Sequence, residues 1–300
     1  MDNFGPISGV HASFQNVQRT NPFKKTSYSN ILSLNFFYFV NQNRRELQSC
    51  CNATQDLVLT KEHMKVGETF TYEMENKRTR VVDEALYEMF PETLGHCAVV
   101  GNGGILRNSS CGEQIDQADF VFRLNLPPLN YTADAGTKTD LVTANPTILF
   151  NLSYARKPFI ERMKAYGHAQ VLMPAFAYAF CTELSFRVYF TLQDFNLQHV
   201  SFFHPGYISK LHKYWRNKRL TPTRLSSGMI LVNVAMELCS EVSLYGFWPF
   251  PYDLSGQPLI HHYYDNQPAT PGMHAMPLEF LNLLQMHRKG ILKVNIGKCL

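Results

Sequence analysis

The stretch "CAVVGNGGILRNSSCGEQIDQADFVFRLNLPP" constrains the fold more than any other part of this chain. Cys97 to Val100 form a short apolar, partly β-branched run of the kind that fills a buried parallel strand. A glycine turn follows, then a predicted helix, then a second strand from Asp119 to Arg123. Strand, helix and strand in that order open a βαβ unit and commit the chain to an α/β architecture. A glycine turn at the carboxyl end of a strand lets backbone amides approach a nucleotide phosphate closely. It serves equally well as a plain connection. The dinucleotide fingerprint G-x-G-x-x-G is not met: Gly101 and Gly103 fit, but the third position is Leu106. The second strand also ends in Asn125 rather than in the acid that holds a ribose, which argues against NAD.

Further strands are predicted at Asp140 to Thr143, Gln170 to Met173 and Val200 to Phe203, with helices over Pro158 to Tyr166 and Tyr207 to Arg219. "RLSSGMILVNVAMELCSEVSLYGFWPF" runs from small residues into an apolar helix (Met229 to Leu238) and a strand (Val242 to Tyr245). Ser226 there reads either as an N-cap or as part of a second anion cradle at a positive helix end. The basic cluster Lys213, Arg216, Lys218 and Arg219 reads as a solvated helix face. From Thr69 to Phe90 the spacing of Val81, Val82, Ala85, Leu86 and Met89 predicts an amphipathic helix, stopped by Pro91 and Gly95. Residues 1–60 are polar and read as an irregular tail or stem, leaving 61–300 as a single domain.

A net charge of +4 suits an anionic small-molecule substrate and falls short of the basic stripe of a nucleic-acid binder. The seven cysteines, at 50, 51, 97, 111, 181, 239 and 299, form no C-x-x-C pair, and their scatter suits long-range disulfides. Asn52, Asn108, Asn130 and Asn151 each begin an Asn-x-Ser/Thr sequon, which with the cysteines points to the secretory pathway. The amino terminus has neither the basic start nor the apolar core of a signal peptide. Its best apolar run, Ile31 to Val40, is about half the roughly twenty residues a membrane span needs, so no convincing anchor is expected.

"PLIHHYYDNQPATPGMHAMPLEF", residues 258–280, carries His261, His262 and His274. Three readings fit the composition: a metal site, an acid–base pair, or an aromatic core segment. The metal reading lacks a recognised ligand spacing, and adjacent histidines rarely face one ion.

Taken together, these segments resemble the animal α-2,8-sialyltransferases, over about residue 92 to Cys299. The large sialylmotif corresponds to "CAVVGNGGILRNSSCGEQIDQADFVFRLNLPP", the small one to "RLSSGMILVNVAMELCSEVSLYGFWPF" and the third to "HHYYDN". The very small motif, H-x-x-x-x-E, is His274 to Glu279. "GNGG", "HHYYDN" and "HAMP" look most like ganglioside-acting members, and "RNSSCGEQID" like one acting on glycoprotein O-glycans as well. Leu124 stands where the family usually has Cys, and Ser227 where Thr is usual.

The resemblance implies a Rossmann-like, mostly parallel seven-stranded sheet flanked by helices, the sialyltransferase variant of GT-A. It implies inverting transfer of sialic acid from CMP-sialic acid to the 8-hydroxyl of a terminal sialic acid on a glycolipid or glycoprotein, without metal or other cofactor. His274 would be the base and His262 would bond the donor phosphate; imidazole, with a reference pKa of about 6.5, suits proton transfer near neutrality. Asn102 and Asn125 match donor-contacting asparagines, Ser226, Ser227 and Gly228 the small-motif contacts, and Gly246, Phe247 and Trp248 a loop beside cytidine. Glu279 would orient the very small motif or lie on the surface. The family pattern pairs Cys97 with Cys239 and Cys111 with Cys299, and leaves Cys50, Cys51 and Cys181 without assigned partners. It also implies a Golgi lumenal setting and is compatible with a homodimer. The rival expectation is a catalytically silent relative that binds CMP-sialic acid or partners an active enzyme.

Overall fold

The computed structural model describes residues 28–58, 67–75, 77, 79–81, 94–145, 156–266 and 274–299. The chain begins with helices α1 (Tyr28–Cys50) and α2 (Ala53–Asp56) and an antiparallel pair, β1 (Thr69–Thr71) and β2 (Thr79–Val81). Then come β3 (Leu94–Val100), α3 (Gly112–Asp116), β4 (Phe120–Arg123), α4 (Thr132–Ala135), β5 (Leu141–Thr143), α5 (Arg156–Lys164) and β6 (Gln170–Met173). The rest comprises α6 (Ala179–Asp194), β7 (Val200–Phe202), α7 (Pro205–Asn217), α8 (Ser227–Leu238), β8 (Cys239–Tyr245), α9 (Met276–Arg288) and β9 (Lys293–Asn295).

The main sheet has seven strands in the order β7-β6-β5-β4-β3-β8-β9, and every pairing is parallel. Its strands are apolar on both faces because both faces are covered. Val99, Phe122, Leu172 and Leu244 point into one core layer with α7, α8 and α9. Ala98, Val100, Val121 and Tyr245 point into the other. The strand order reverses at β3, which has β4 on one side and β8 on the other. That crevice, outside the strands' carboxyl ends, is where open α/β sheets bind ligands.

Helix α8 is buried along its length from Gly228 to Leu238, lying between the sheet and the amino-terminal helices. For residues 28–58 the expectation of an irregular tail is therefore corrected: α1 and α2 form part of the fold, with Leu47, Ala53, Leu57 and Val58 in the main core, while residues 1–27 lie outside the described residues. Arg44 donates to the carbonyls of Met236 and Cys239, setting a cation on the negative end of α8. Glu237 accepts the Ala53 N–H at 2.6 Å and the Tyr207 hydroxyl at 2.9 Å. The apolar run of α1 sits among Asn- and Ser-rich residues without a clear cap or stop, so the docking of the helix is not legible in the sequence.

The helix expected over Thr69 to Phe90 is also corrected. Its first part is the β1–β2 pair, whose Thr-Phe-Thr and Thr-Arg-Val favour extended backbone. The rest, residues 82–93, lies outside the described residues. Helices α6 and α9 and strand β9 are elements that the sequence patterning does not predict, whereas the remaining predicted strands and helices fall within a few residues of their observed ends. Lys213, Arg216, Lys218 and Arg219 are exposed on α7 and just beyond it, as a solvated face requires.

Two long-range disulfides join the expected partners, Cys97 with Cys239 and Cys111 with Cys299. Cys50 and Cys51 bond to each other, and Cys181 is the free, buried thiol. No helix among the described residues is long and apolar enough to cross a membrane.

Candidate active site

Two glycine-bearing turns meet at the switch point. A Cβ on Gly101 would lie 2.7 Å from the Gly246 carbonyl oxygen, and one on Gly246 would lie 2.4 Å from that of Gly101. Gly246 also has φ +70°, a conformation that L side chains rarely adopt. The ends of β3 and β8 can thus approach only as bare backbone, and the Cys97–Cys239 bridge ties the same two strands together.

Asn102, within the first turn, donates its Nδ2 to the Leu124 carbonyl at 2.8 Å, joining the ends of β3 and β4. Its Oδ1 is buried with no hydrogen-bond partner. A buried acceptor left open beside a glycine turn fits a donor on a bound ligand. Asn125 (φ 61°) and Leu126 (φ 47°) follow β4 in the left-handed region, costly for Leu and typical of functional turns. The Asn125 N–H donates to Thr143 Oγ1 at 3.0 Å, and its Oδ1 accepts from the same hydroxyl at 3.3 Å.

Ser226 is the N-cap of α8: its Oγ accepts the Met229 N–H at 3.0 Å. It is also held by Glu279, which accepts both the Ser226 N–H, at 2.9 Å, and the Ser226 hydroxyl. Glu279 is 4 % exposed, so it is a buried anchor and not a surface group. Burial pushes its carboxyl up, opposed by the two Ser226 bonds and by His274. The Ser226 hydroxyl is thereby engaged with protein both as donor and as acceptor. Ser227, the next residue, points its hydroxyl to Asn145 at 3.3 Å. The Phe247 ring leans over Gly228, where an added Cβ would sit 3.0 Å from it. Trp248, by contrast, packs edge-on against Phe250 and Phe280 and gives its indole N–H to the Tyr252 carbonyl. It is 8 % exposed and anchors the loop from below, leaving Phe247 as the residue placed to meet a ligand.

The "HHYYDN" segment is strapped onto the first glycine turn: Gly104 donates to the His261 carbonyl and Tyr263 to the Asn102 carbonyl. His262 Nδ1 lies 2.8 Å from Asp265 Oδ1, and the ring stacks on Tyr264 with centroids 5.2 Å apart. The carboxylate orients the imidazole so that Nε2 faces away from it. Burial, then the neighbouring His262, lowers the His261 pKa. His274 Nδ1 lies 2.9 Å from the Arg224 carbonyl oxygen. A carbonyl only accepts, so Nδ1 carries the proton and Nε2 holds the free lone pair. His274 and Glu279 thus grip the same loop, one at residue 224 and the other at residue 226.

The structure gathers Asn102, Asn125, Ser226, Ser227, Gly228, Gly246, Phe247 and His262 at the carboxyl ends of β3, β4 and β8, and links His274 to them through residues 224–226. Among the described residues no group of three or more His, Cys, Asp or Glu side chains is arranged to hold a metal ion. Of the sequons, Asn108 and Asn130 are exposed, Asn52 is half-buried and bonds Gln55, and Asn151 lies outside the described residues. Asp265 is a site residue that the sequence reading does not single out, although its place three residues after His262 in a turn is a usable signal.

The profile of glycosyltransferase family 29 (sialyltransferase) matches residues 39–291. Mouse (Mus musculus) alpha-2,8-sialyltransferase 8F is 46% identical over 270 residues, covering 85% of this chain and 68% of its own. The alpha-N-acetylneuraminide alpha-2,8-sialyltransferase of Xenopus laevis is 45% identical over 269 residues, covering 85% of this chain and 75% of its own. A crystal structure of a mammalian sialyltransferase shares the fold over 98% of this chain and 87% of its own, at a TM-score of 0.50 and 19% identity.

Proposed function

The chain belongs to glycosyltransferase family 29, the sialyltransferases, and from that premise we propose that it is an α-2,8-sialyltransferase moving sialic acid from CMP-sialic acid onto the 8-hydroxyl of a terminal sialic acid. The observation that carries this reading furthest is the 2.9 Å contact between His274 Nδ1 and the Arg224 carbonyl oxygen. With its Nδ1–H given to the Arg224 carbonyl, its Nε2 is free to take the acceptor hydroxyl proton as that oxygen attacks the anomeric carbon. The attack breaks the bond to the phosphate oxygen from the opposite face, so configuration inverts and CMP leaves.

Charge then develops on the departing phosphate, and preorganised donors aimed at it lower the barrier. His262, oriented by Asp265, has Nε2 available for this when protonated. The amides of Gly101, Gly103 and Gly104 are already given to the carbonyls of Tyr245, Gly246 and His261, so the first turn contributes through the open Oδ1 of Asn102, which supports a contact to a donor group of the nucleotide. Phe247, above the amino end of α8, supports stacking on the cytosine ring. Exposed sequons at Asn108 and Asn130 and two long-range disulfides support a glycosylated protein folded in an oxidising lumen, that of the Golgi by family. The acceptor is a sialylated glycolipid or glycoprotein glycan.

The test is incubation of the secreted protein with CMP-sialic acid and α-2,3-sialylated ganglioside and O-glycan acceptors, followed by mass spectrometry. Disialylated product from the wild type and none from His274→Ala is the expected result. Transfer undiminished in His274→Ala would remove the base from its role.

A further inference from the structure

The peptide group joining Arg224 to Leu225 is held at both ends by imidazoles. Its carbonyl oxygen accepts from His274 Nδ1 at 2.9 Å, and its N–H donates to His212 Nε2 at 2.7 Å. Because Nε2 of His212 accepts, the His212 proton sits on Nδ1, which lies 3.7 Å from Glu73 Oε1. The Glu73 side chain is 4 % exposed and also clamps the Arg224 guanidinium through two bonds, Nε at 3.1 Å and Nη2 at 3.0 Å. Its own backbone is fixed, with the Glu73 N–H donating to the Phe176 carbonyl at 3.0 Å.

We propose that Glu73 and His212 are positioning residues that act on His274 through this single peptide group, deepening the reading of His274 as the base and resting on it. The order is carboxylate, imidazole, amide, imidazole, acceptor hydroxyl. From His212 onward each member accepts from the next, so each polarises it, and hydrogen bonds in such a chain strengthen one another; Glu73, 3.7 Å from His212 Nδ1, acts on the imidazole through its charge. A more polarised carbonyl holds the His274 Nδ1–H more tightly and makes Nε2 the better base. No proton moves along the chain: the acceptor hydroxyl proton goes to His274 Nε2, and Nδ1 keeps its own. The logic is that of a carboxylate–histidine pair behind a nucleophile, extended by one backbone amide.

The chain requires His212 to be neutral, since a protonated Nε2 would face the Leu225 N–H as a second donor. Burial lowers the His212 pKa, Glu73 opposes that, and the charges of Arg224, Arg216 and His274 add to it. Glu73 offsets the charge of Arg224, so removing the Glu73 charge would leave the half-buried Arg224 cation uncompensated beside His212.

The deciding experiment compares His212→Leu, His212→Gln and Glu73→Gln with wild type and His274→Ala, measuring kcat, KM for acceptor, CMP affinity and the pH profile of kcat. His212→Leu should lower kcat at least about tenfold with KM and CMP affinity within about twofold, and move the acid limb of the profile to lower pH. His212→Gln, whose amide oxygen accepts the Leu225 N–H again, should recover most of the lost rate. Glu73→Gln should shift the limb in the same direction by a smaller amount, which keeps the test open if His212→Leu does not fold. A folded His212→Leu with unchanged kcat and profile overturns the proposal. So does a loss that His212→Gln fails to recover and that appears in CMP affinity and melting temperature alone. Activity retained in His274→Ala would instead overturn the assignment of the base itself.

Discussion

Glu237 offers a quantitative test of how the amino-terminal helices are held. Its carboxyl is buried, 2 % exposed, between α8, α7 and the start of α2. Burial pushes its pKa from an ordinary 4.5 up to about 7, with the Ala53 N–H and the Tyr207 hydroxyl pulling the other way. A folded-state pKa above the unfolded one means that the protonated form favours the fold. Its contribution is fully present below pH 4.5 and is lost as pH rises through 7. Each pH interval of one over which the folded protein holds one proton more than the unfolded chain is worth about 1.4 kcal/mol. Integrated from about pH 5 to about pH 8, the loss comes to about 2.5 kcal/mol. In a protein of this size that lowers Tm by about 5 °C. Glu237→Gln keeps the volume, cannot ionise, and removes this slope while giving up one of two acceptors.

Urea melts of wild type and Glu237→Gln across about pH 5 to 8 isolate the effect, because the other titrating groups cancel in the difference. Wild type should lose ground to the variant steadily as pH rises, with most of the change between about pH 5 and 7. A stability difference that stays flat, or a wild type that gains on the variant as pH rises, refutes the reasoning that the buried carboxylate is a net cost at neutral pH.

The other predictions concern the site. Replacing Cys97 and Cys239 by Ser opens a loop of 142 residues and should cost about 5 kcal/mol from chain entropy, read in denaturant melts, with activity falling in parallel. Glu279→Ala leaves the buried Ser226 N–H without its acceptor and should cost about 2–4 kcal/mol; a variant as stable and active as wild type would show that the anchor is dispensable. Asn102→Ala removes both the tie to Leu124 and the open Oδ1 and should weaken CMP binding about tenfold by calorimetry.

The sheet is readable because a buried parallel strand must be apolar on both faces, and runs such as Cys97 to Val100 and Gln170 to Met173 have few other uses. Helix α6, "AFCTELSFRVYFTLQD", is ambiguous because its aromatic and β-branched residues suit a strand equally well. Only the spacing of buried Cys181, Leu184, Val188 and Leu192 marks it as helical. Helix α1 is hidden for a different reason. Its worth lies in contacts such as Arg44 to the Cys239 carbonyl, across 195 positions of sequence. Motif resemblance nominates the candidate site residues, but not what His274 Nδ1 bonds to. Its partner is a backbone oxygen, and backbone is the one feature every residue shares.

The group between Arg224 and Leu225 that two imidazoles share belongs to no side chain, so a residue-by-residue replacement scan would pass over it without a trace. Leu225 would register only as an apolar residue whose loss opens the core. Chemical ligation could reach what codons cannot. An ester linkage in place of that one amide deletes the donor toward His212 and weakens the acceptor toward His274, while leaving every encoded residue as it was.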